Sequence, residues 1–287
     1  MCIRDRIRSS DVVETKRQVD QATDTTYGDP TYGRDREMAV VDRAFDDLKN
    51  GKGTLLLISG DMGVGKSHLA LQIMAEARRR GVYAGSGIYT DAAGRPPLSA
   101  WNDARRVLAQ RLGDRMFEIS PPELLVEALE FVGGDINGSF SEEALGQPEE
   151  LQRMLEVMRS LAFHMSQHEP LSIVVDDFHL ADEVSLAAIE SWGRNVEEST
   201  FLLVVVYRHD EFSRLPGCAQ WLRAIGDAPR TVRLALGGLD QNGVGDLARS
   251  FGLSLTKGEV SELTNRTGGN PLFVSCLLYT SPSPRDS

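Results

Sequence analysis

One stretch indicates the class of fold to which this chain belongs: Gly60-Asp61-Met62-Gly63-Val64-Gly65-Lys66-Ser67. It has the spacing Gly, any four residues, Gly-Lys-Ser, which is typical of a loop that wraps the phosphates of a nucleotide. The glycines let the backbone turn tightly with its N–H groups pointing inward, at the positive end of a following helix. Lys66 would reach the β- and γ-phosphates, and the Ser67 hydroxyl would ligate Mg²⁺. The alternative is an ordinary glycine turn followed by a solvated lysine.

The residues on either side supply the strand and the helix that such a loop requires. Residues 54–59 form a short apolar run, typical of a strand that is buried on both faces. After the loop, apolar side chains recur at helical spacing, and three arginines followed by Gly81 end the helix. The segment therefore predicts a strand, a phosphate-binding loop and a helix in succession.

Composition and charge limit the classes of function. The chain has 287 residues, of which 41% are hydrophobic and 25% charged, enough for one large domain or two small ones. Its formal net charge is −11 and it has no long cluster of lysine or arginine, which argues against direct nucleic-acid binding. Because no apolar run reaches the length of a membrane span and no secretory signal is present, we expect no membrane association and a cytoplasmic location.

A second apolar run, residues 171–175, leads into Asp176 and Asp177. The carboxyl end of a buried parallel strand is where an α/β sheet places its ligand chemistry. We therefore predict that Asp176 holds Mg²⁺, through water, and that Asp177 polarises or orients the attacking water. Two acids that merely end a strand are the alternative.

A further buried strand, predicted for residues 201–207, ends beside Arg208. A guanidinium group suits phosphate oxygens, so Arg208 is a candidate sensor of the γ-phosphate. The alternative is an exposed arginine in a surface ion pair. The chain has no Asn-Lys-X-Asp segment of the kind that reads guanine, which favours adenine as the base.

Hydrophobic periodicity predicts further strands and helices, so the chain as a whole is predicted to have an α/β fold. Further strands are predicted for residues 82–89 and 231–236, and helices for residues 38–48, 100–112, 122–132, 149–167, 241–251 and 259–267. Residues 133–148 are predicted to be a flexible loop, and the polar residues 7–30 a disordered leader. Residues 1–6 and 276–287 resemble translated sequencing-adaptor read-through, so we expect a gene fragment whose ends are not native.

Residues 32–275 resemble the AAA+/STAND class of signal-transduction ATPases, in particular the ATPase module of large LuxR-type regulators and of some bacterial nucleotide cyclases and kinases. The glycine loop resembles the family's Walker A motif, and Val174-Val175-Asp176-Asp177, followed by residues 178–182, resembles Walker B and the segment after it. Tyr207-Arg208 is similar to the sensor arginine. Gly33-Arg34-Asp35-Arg36-Glu37 and Gly269-Asn270-Pro271 are similar to two motifs that lie beside the base.

This resemblance implies a P-loop NTPase core at residues 31–237, with a five-stranded parallel sheet in the order 5-1-4-3-2 flanked by helices, and a truncated helical lid at residues 238–275. The implied ligands are ATP or ADP with Mg²⁺. The predicted nucleotide contacts are Gly33, Arg34, the eight residues of the loop from Gly60 to Ser67, His68 and Pro271. The predicted catalytic residues are Lys66, Asp177 and Arg208, and the predicted metal ligands are Ser67 and Asp176.

The function predicted from these features is that of a Mg-dependent, slowly hydrolysing ATPase that acts as a switch within a larger signalling or transcription-regulating protein. The resemblance implies a closed ADP form and an open, self-associating ATP form, with sensor and effector domains expected downstream. Two alternatives remain at this stage. One is a nucleotide-binding scaffold with vestigial hydrolysis; the other is a small-molecule kinase, for which no acceptor pocket or lid arginines are identified.

Replacing Lys66 with alanine is expected to remove most of the nucleotide affinity, because it deletes the main cation facing the phosphates. Titration of the folded variant with Mg-ATP measures this loss. A variant that binds Mg-ATP as tightly as the parent protein would contradict the assignment of the loop.

Overall fold

The computed structural model describes residues 31–91, 96–213 and 217–280. The leader predicted for residues 1–30, including the suspected read-through at residues 1–6, lies outside the described residues. So do residues 281–287, whereas residues 276–280 belong to the last described helix.

The described residues form alternating strands and helices, as the periodicity predicts. The strands are β1 (Thr54–Gly60), β2 (Tyr83–Ile88), β3 (Leu171–Asp176), β4 (Phe201–Tyr207) and β5 (Thr231–Leu236). The helices up to β3 are α1 (Asp35–Lys49), α2 (Lys66–Arg79), α3 (Ser99–Leu112), α4 (Arg115–Ile119), α5 (Pro122–Glu130), α6 (Glu142–Gly146) and α7 (Pro148–Ser166). Those that follow are α8 (Glu183–Asn195), α9 (His209–Phe212), α10 (Cys218–Gly226), α11 (Gln241–Ser250), α12 (Lys257–Thr267) and α13 (Pro271–Thr280), with 3₁₀ turns at Phe178–Leu180 and Val196–Glu198.

The five strands form one parallel sheet in the order β2-β3-β4-β1-β5. Read from the other edge, this is the order 5-1-4-3-2, so the predicted α/β fold and strand order are confirmed. β1 lies between β4 and β5, and Leu57 is in register with both Val205 and Arg233. Because all strands run the same way, the carboxyl ends of β1, β3 and β4 meet at one edge of the sheet.

Helices cover both faces of the sheet, which is why the central strands are continuously apolar. Along β4, Leu203 and Val205 belong to a core formed with α3, α7 and α8, whereas Leu202, Val204 and Val206 belong to a core formed with α1 and α2. Every residue of β3 and β4 is buried. The central strands are therefore packed on both faces, and the loops that follow them lie at the carboxyl edge of the sheet.

The structure differs from the sequence prediction in the loop at residues 133–148. This segment contains α6, whose N-terminus is capped by the Ser141 hydroxyl accepting a hydrogen bond from the Ala144 N–H at 3.2 Å. Phe140 and Ala144 are buried in the core, and the Arg105 guanidinium donates to the carbonyls of Ile136 and Gly138, each at 2.6 Å. Burial of these apolar groups outweighs the local glycine signal, so the flexible-loop prediction was wrong for this part of the segment.

Helix α3 lies so close to β2 that the strand has no room for a side chain at Gly87. A Cβ placed there would lie 1.8 Å from the Ala100 carbonyl oxygen. The Gly87→Ala variant should therefore lose about 2 kcal/mol or more of unfolding free energy, since backbone must move to relieve the overlap. Urea unfolding measures the loss, with Gly245→Ala in α11 as the control because its Cβ would meet nothing closer than 3.9 Å. Equal stability of the two variants would contradict this packing.

Candidate nucleotide-binding site

The glycine loop joins the end of β1 to the first turn of α2, where its backbone N–H groups and the helix dipole favour an anion. Gly65, the last loop residue before the helix, has φ 98°, a left-handed conformation that favours glycine. Lys66 follows it and is buried, and its Nζ donates a hydrogen bond across the loop to the Asp61 carbonyl at 2.7 Å. Burial and the nearby Arg208 cation lower the pKa of Lys66. The ammonium group of Lys66 thus lies within the loop and near the guanidinium of Arg208.

The two acids at the end of β3 occupy different environments. Asp176 is buried, accepts hydrogen bonds from the Ser67 hydroxyl and, at 2.7 Å, from the Asp177 N–H, and its pKa is raised by burial. Asp177 has φ 52°, which a small polar side chain tolerates, and its side chain lines the cavity described below. The buried acid therefore contacts Ser67, while the second acid faces the space above the sheet.

Ser67 and Asp176 fit a bound magnesium ion by the chemistry of their donors. A hydroxyl and a carboxylate in direct contact offer the hard oxygen ligands that Mg²⁺ takes, with waters and phosphate oxygens completing its coordination. Among the residues that the structure describes, no group of three or more His, Cys, Asp or Glu side chains is placed to hold a metal ion without such help. The arrangement suits a metal that arrives with a phosphate.

Arg208 lies at the end of β4, beside the end of β3, and lines the same cavity. Its Nη1 donates to Glu211 Oε1 at 2.8 Å, so the arginine has the surface ion pair considered as the alternative and also faces the site. Glu211 Oε2 in turn lies 3.2 Å from Nε2 of the buried His179. The sequence alone did not assign any role to Glu211 or His179.

Arg34 holds the loop in place from the outside. Its buried guanidinium donates to the Val64 and Gly237 carbonyls, both at 2.8 Å, and to Glu37 at 3.0 Å. These bonds connect the start of α1, the glycine loop and the segment after β5. The guanidinium that the resemblance places beside the base is therefore directed at protein acceptors.

The last described helices cover the loop. The Asn270 side-chain amide donates to the Met62 carbonyl at 2.8 Å, and the Leu272 N–H donates to the Gly63 carbonyl at 3.3 Å. A Cβ on Gly63, whose φ is 77°, would lie 2.7 Å from Leu272 Cβ, so the contact is close. The Gly269-Asn270-Pro271 segment and α13 thus rest on the backbone of the phosphate-binding loop.

Between the sheet edge and these helices lies a cavity of about 660 Å³, a volume suited to a nucleotide-sized ligand. It brings together ten of the predicted site residues: Arg34, Gly63, Val64, Gly65, Lys66, Ser67, His68, Asp177, Arg208 and Pro271. The other predicted residues, Gly33, Gly60, Asp61, Met62 and Asp176, do not line it. Met62 is 56% exposed, and Gly33 instead packs against α11, where a Cβ would lie 2.7 Å from Gly243 Cα.

Sequence reasoning missed nine residues that line the cavity: Thr31, Tyr32, Leu69, Leu239, Leu247, Ser250, Phe251, Leu272 and Ser275. Leu247, Ser250 and Phe251 have the spacing of one helical face, which the sequence contains. Periodicity shows that such a face exists but not which element it meets. Their place in the site depends on how the last helices fold back over the loop.

Replacing Arg34 with alanine should lower the unfolding free energy by about 2 kcal/mol and weaken Mg-ATP binding, because the Val64 and Gly237 carbonyls lose their donor. Urea unfolding and nucleotide titration measure the two effects. Arg36→Ala is the control, since Arg36 is exposed in the first turn of α1, two residues after Arg34. If Arg34→Ala matched Arg36→Ala in both measurements, Arg34 would not hold the loop.

None of the described helices is both long enough and apolar enough to cross a membrane. This statement covers residues 31–91, 96–213 and 217–280.

Comparison with known proteins identifies the family to which the chain belongs. No curated protein matches the chain. Among solved structures, a STAND protein with a tetratricopeptide repeat sensor from Pyrococcus horikoshii aligns at 18% identity over 84% of this chain and 30% of its own, with a TM-score of 0.49. AMPPCP-bound DnaA from Aquifex aeolicus aligns at 16% identity over 88% of this chain and 65% of its own, with a TM-score of 0.46.

This chain therefore spans less than two thirds of the length of either of these structures. A protein-family model also matches this chain, since residues 30–205 fit the AAA ATPase domain. These residues make up more than half of the chain and contain the glycine loop, both acids, the whole of β1, β2 and β3, and most of β4. The chain belongs to the AAA ATPase domain family.

Proposed function

We propose that this chain binds Mg-ATP and hydrolyses it slowly, as the switch module of a larger regulatory protein. The observation that carries the proposal is the meeting of Lys66, Ser67, Asp177 and Arg208 around one cavity at the carboxyl edge of the parallel sheet. Membership of the AAA ATPase domain family supports nucleotide binding. The cavity combines two cations for phosphate with an acid for water, which is the set of groups that phosphoryl transfer to water needs.

In this proposal each side chain has one role. Lys66 and the loop N–H groups bind the β- and γ-phosphates, and Arg208 binds the γ-phosphate once it exchanges Glu211 for the nucleotide. Ser67 and Asp176 would hold Mg²⁺, which would supply charge neutralisation at the phosphates. Asp177, which faces the cavity, orients the attacking water and accepts its proton.

The switch follows from the contacts between the loop and the last helices. We assign residues 31–237 to the ATPase core and residues 238–275 to its lid. Asn270 and Leu272 bind the carbonyls of Met62 and Gly63, so a change in the loop backbone on binding phosphate is passed directly to the lid. The resemblance to LuxR-type regulators supports a regulatory output and self-association in the ATP form.

One observation favours a second candidate, a scaffold that holds nucleotide without turnover. Arg208 is paired with Glu211 at 2.8 Å, and an arginine that kept this partner would not stabilise a transferring phosphate. The two candidates differ in the role of Asp177. Only a hydrolysing module requires its carboxylate.

The first test titrates the protein with ATP, with and without Mg²⁺, and then measures phosphate release. We expect Mg-dependent binding and slow turnover. Binding without turnover would favour the scaffold, and a folded protein that binds no Mg-ATP would contradict the proposal.

The second test replaces Asp177 with asparagine. This variant should bind Mg-ATP nearly as well as the parent but release phosphate at least about 100-fold more slowly, because the acceptor for the water proton is lost. Asp210→Asn is the matched control, since Asp210 is an exposed acid at the same edge of the sheet. If Asp177→Asn hydrolysed ATP at the rate of Asp210→Asn, Asp177 would not have the assigned role.

A further inference from the structure

His179 is a buried histidine that lies between two carboxylates at the edge of the site. Its side chain is 2% exposed. Its Nε2 lies 3.2 Å from Glu211 Oε2, and its Nδ1 lies 3.8 Å from Asp177 Oδ1 and has no hydrogen-bond partner among the described residues. The roles proposed above leave this histidine unused.

The backbone around His179 keeps its ring in this position. The 3₁₀ turn is closed by hydrogen bonds from the Leu180 N–H to the Asp177 carbonyl at 2.9 Å and from the Ala181 N–H to the Phe178 carbonyl at 3.1 Å. Phe178 is fully buried, and its ring lies 5.5 Å from that of Trp221. Because buried Phe178 anchors the turn, the imidazole of His179 cannot rotate into solvent unless Phe178 leaves the core.

Four polar side chains lie in sequence between the ends of two adjacent strands, with the ring of His179 among them. Arg208 Nη1 donates to Glu211 Oε1 at 2.8 Å, and the other oxygen of Glu211 faces His179, which faces Asp177. We call these four residues the edge network. It runs from the candidate γ-phosphate sensor at the end of β4 to the candidate water-orienting acid at the end of β3.

The two ring nitrogens of His179 have different roles in this network, because a neutral imidazole donates from one nitrogen and accepts at the other. Burial lowers the pKa of His179, which favours the neutral ring with a single N–H. The shorter distance to Glu211 assigns that N–H to Nε2, so the lone pair of Nδ1 faces the Asp177 carboxylate. Two acceptors that face each other repel, so the ring does not hydrogen-bond to Asp177 and limits how closely its carboxylate approaches, with Oδ1 at 3.8 Å from Nδ1. The carboxylate of this cavity-lining residue is therefore left for a ligand.

Glu211 makes the network sensitive to a phosphate. Its carboxylate binds Arg208 and His179 at the same time, so phosphate must compete with it for the guanidinium. When a γ-phosphate binds Arg208, Glu211 loses a charged partner and accepts the His179 N–H more strongly. The loss of His179 would conversely leave Glu211 a stronger competitor for Arg208.

We propose that His179 is a positioning residue that couples Arg208 to Asp177 through Glu211, so that a γ-phosphate on Arg208 secures the orientation of the acid that activates water. The inference rests on the function proposed above and adds to it the means by which the sensor and the acid communicate. No bond is made or broken at His179.

The test compares two substitutions of His179 with a control in the full chain. His179→Phe keeps a ring of similar size without polar atoms, His179→Gln keeps an amide N–H near the position of Nε2, and His209→Gln alters an exposed histidine two residues before Glu211. For each protein we would measure thermal unfolding, the affinities for Mg-ATP and Mg-ADP, and phosphate release.

We expect His179→Phe to lower kcat roughly tenfold, because the lone pair of Nδ1 no longer limits the positions of the Asp177 carboxylate. The same variant should reduce the preference for ATP over ADP about fivefold, because Glu211 retains Arg208. His179→Gln should recover most of both losses, and His209→Gln should match the parent. A purely structural role would not give recovery by glutamine together with an altered ratio of ATP to ADP affinity.

A variant that removes Glu211 keeps the proposal testable if the buried substitution prevents folding. Glu211 is about half exposed, and Glu211→Ala frees Arg208 for phosphate while it disconnects His179. It should raise the preference for ATP about fivefold and lower kcat. Combined with His179→Phe, it should lower kcat no further than the larger single loss, since both act on one network.

Three outcomes would overturn the proposal: unchanged kcat and unchanged ATP preference in His179→Phe, failure of glutamine to restore a loss seen with phenylalanine, or losses that multiply in the double variant. These results are distinct from a failure of the proposed function. In that case the folded parent itself binds no Mg-ATP, which overturns both. A parent that binds but does not hydrolyse ATP removes only the kinetic measurement, and the ratio of ATP to ADP affinity then decides.

Discussion

The central position of β1 is the constraint on which the site depends. Hydrogen bonds to β4 on one side and to β5 on the other hold the strand along its whole length, and its side chains enter both cores. The strand therefore ends at a defined point, and the glycine loop begins there. Everything that acts on the loop, from the Arg34 guanidinium to the first turn of α13, is positioned relative to this end.

The loop is held through its backbone carbonyls. Its carbonyls at Val64, Met62 and Gly63 accept hydrogen bonds from Arg34, from the Asn270 amide and from the Leu272 N–H. These bonds use the oxygens of the loop on its outer side and leave the inward N–H groups for an anion. The same contacts link three distant parts of the chain, so the conformation of the loop and the position of the last helices depend on each other.

Charge at the sheet edge is balanced within the protein. Lys66 and Arg208 lie among Asp176, Asp177 and Glu211, and each cation contacts an oxygen of the protein. Buried or half-buried charges need such partners, since an unpaired charge in this position is costly. In the proposed function, a phosphate that entered the cavity would replace these partners and so change the contacts of Glu211 and His179.

The sequence by itself determined the α/β class, the strands and the polar groups at their ends, because burial on both faces demands apolar runs and the phosphate loop demands glycines at set positions. A capping box at Thr256 and Glu259 was also present in the sequence, and it sets the start of α12 two residues before the predicted one. Only the tertiary structure decided that the hydrophobic faces of the last helices close the cavity and that Arg34 binds loop carbonyls. Only the structure also placed His179 between Asp177 and Glu211. These contacts join residues far apart in the chain or on different strands, and local pattern carries no information about which partners packing will bring together.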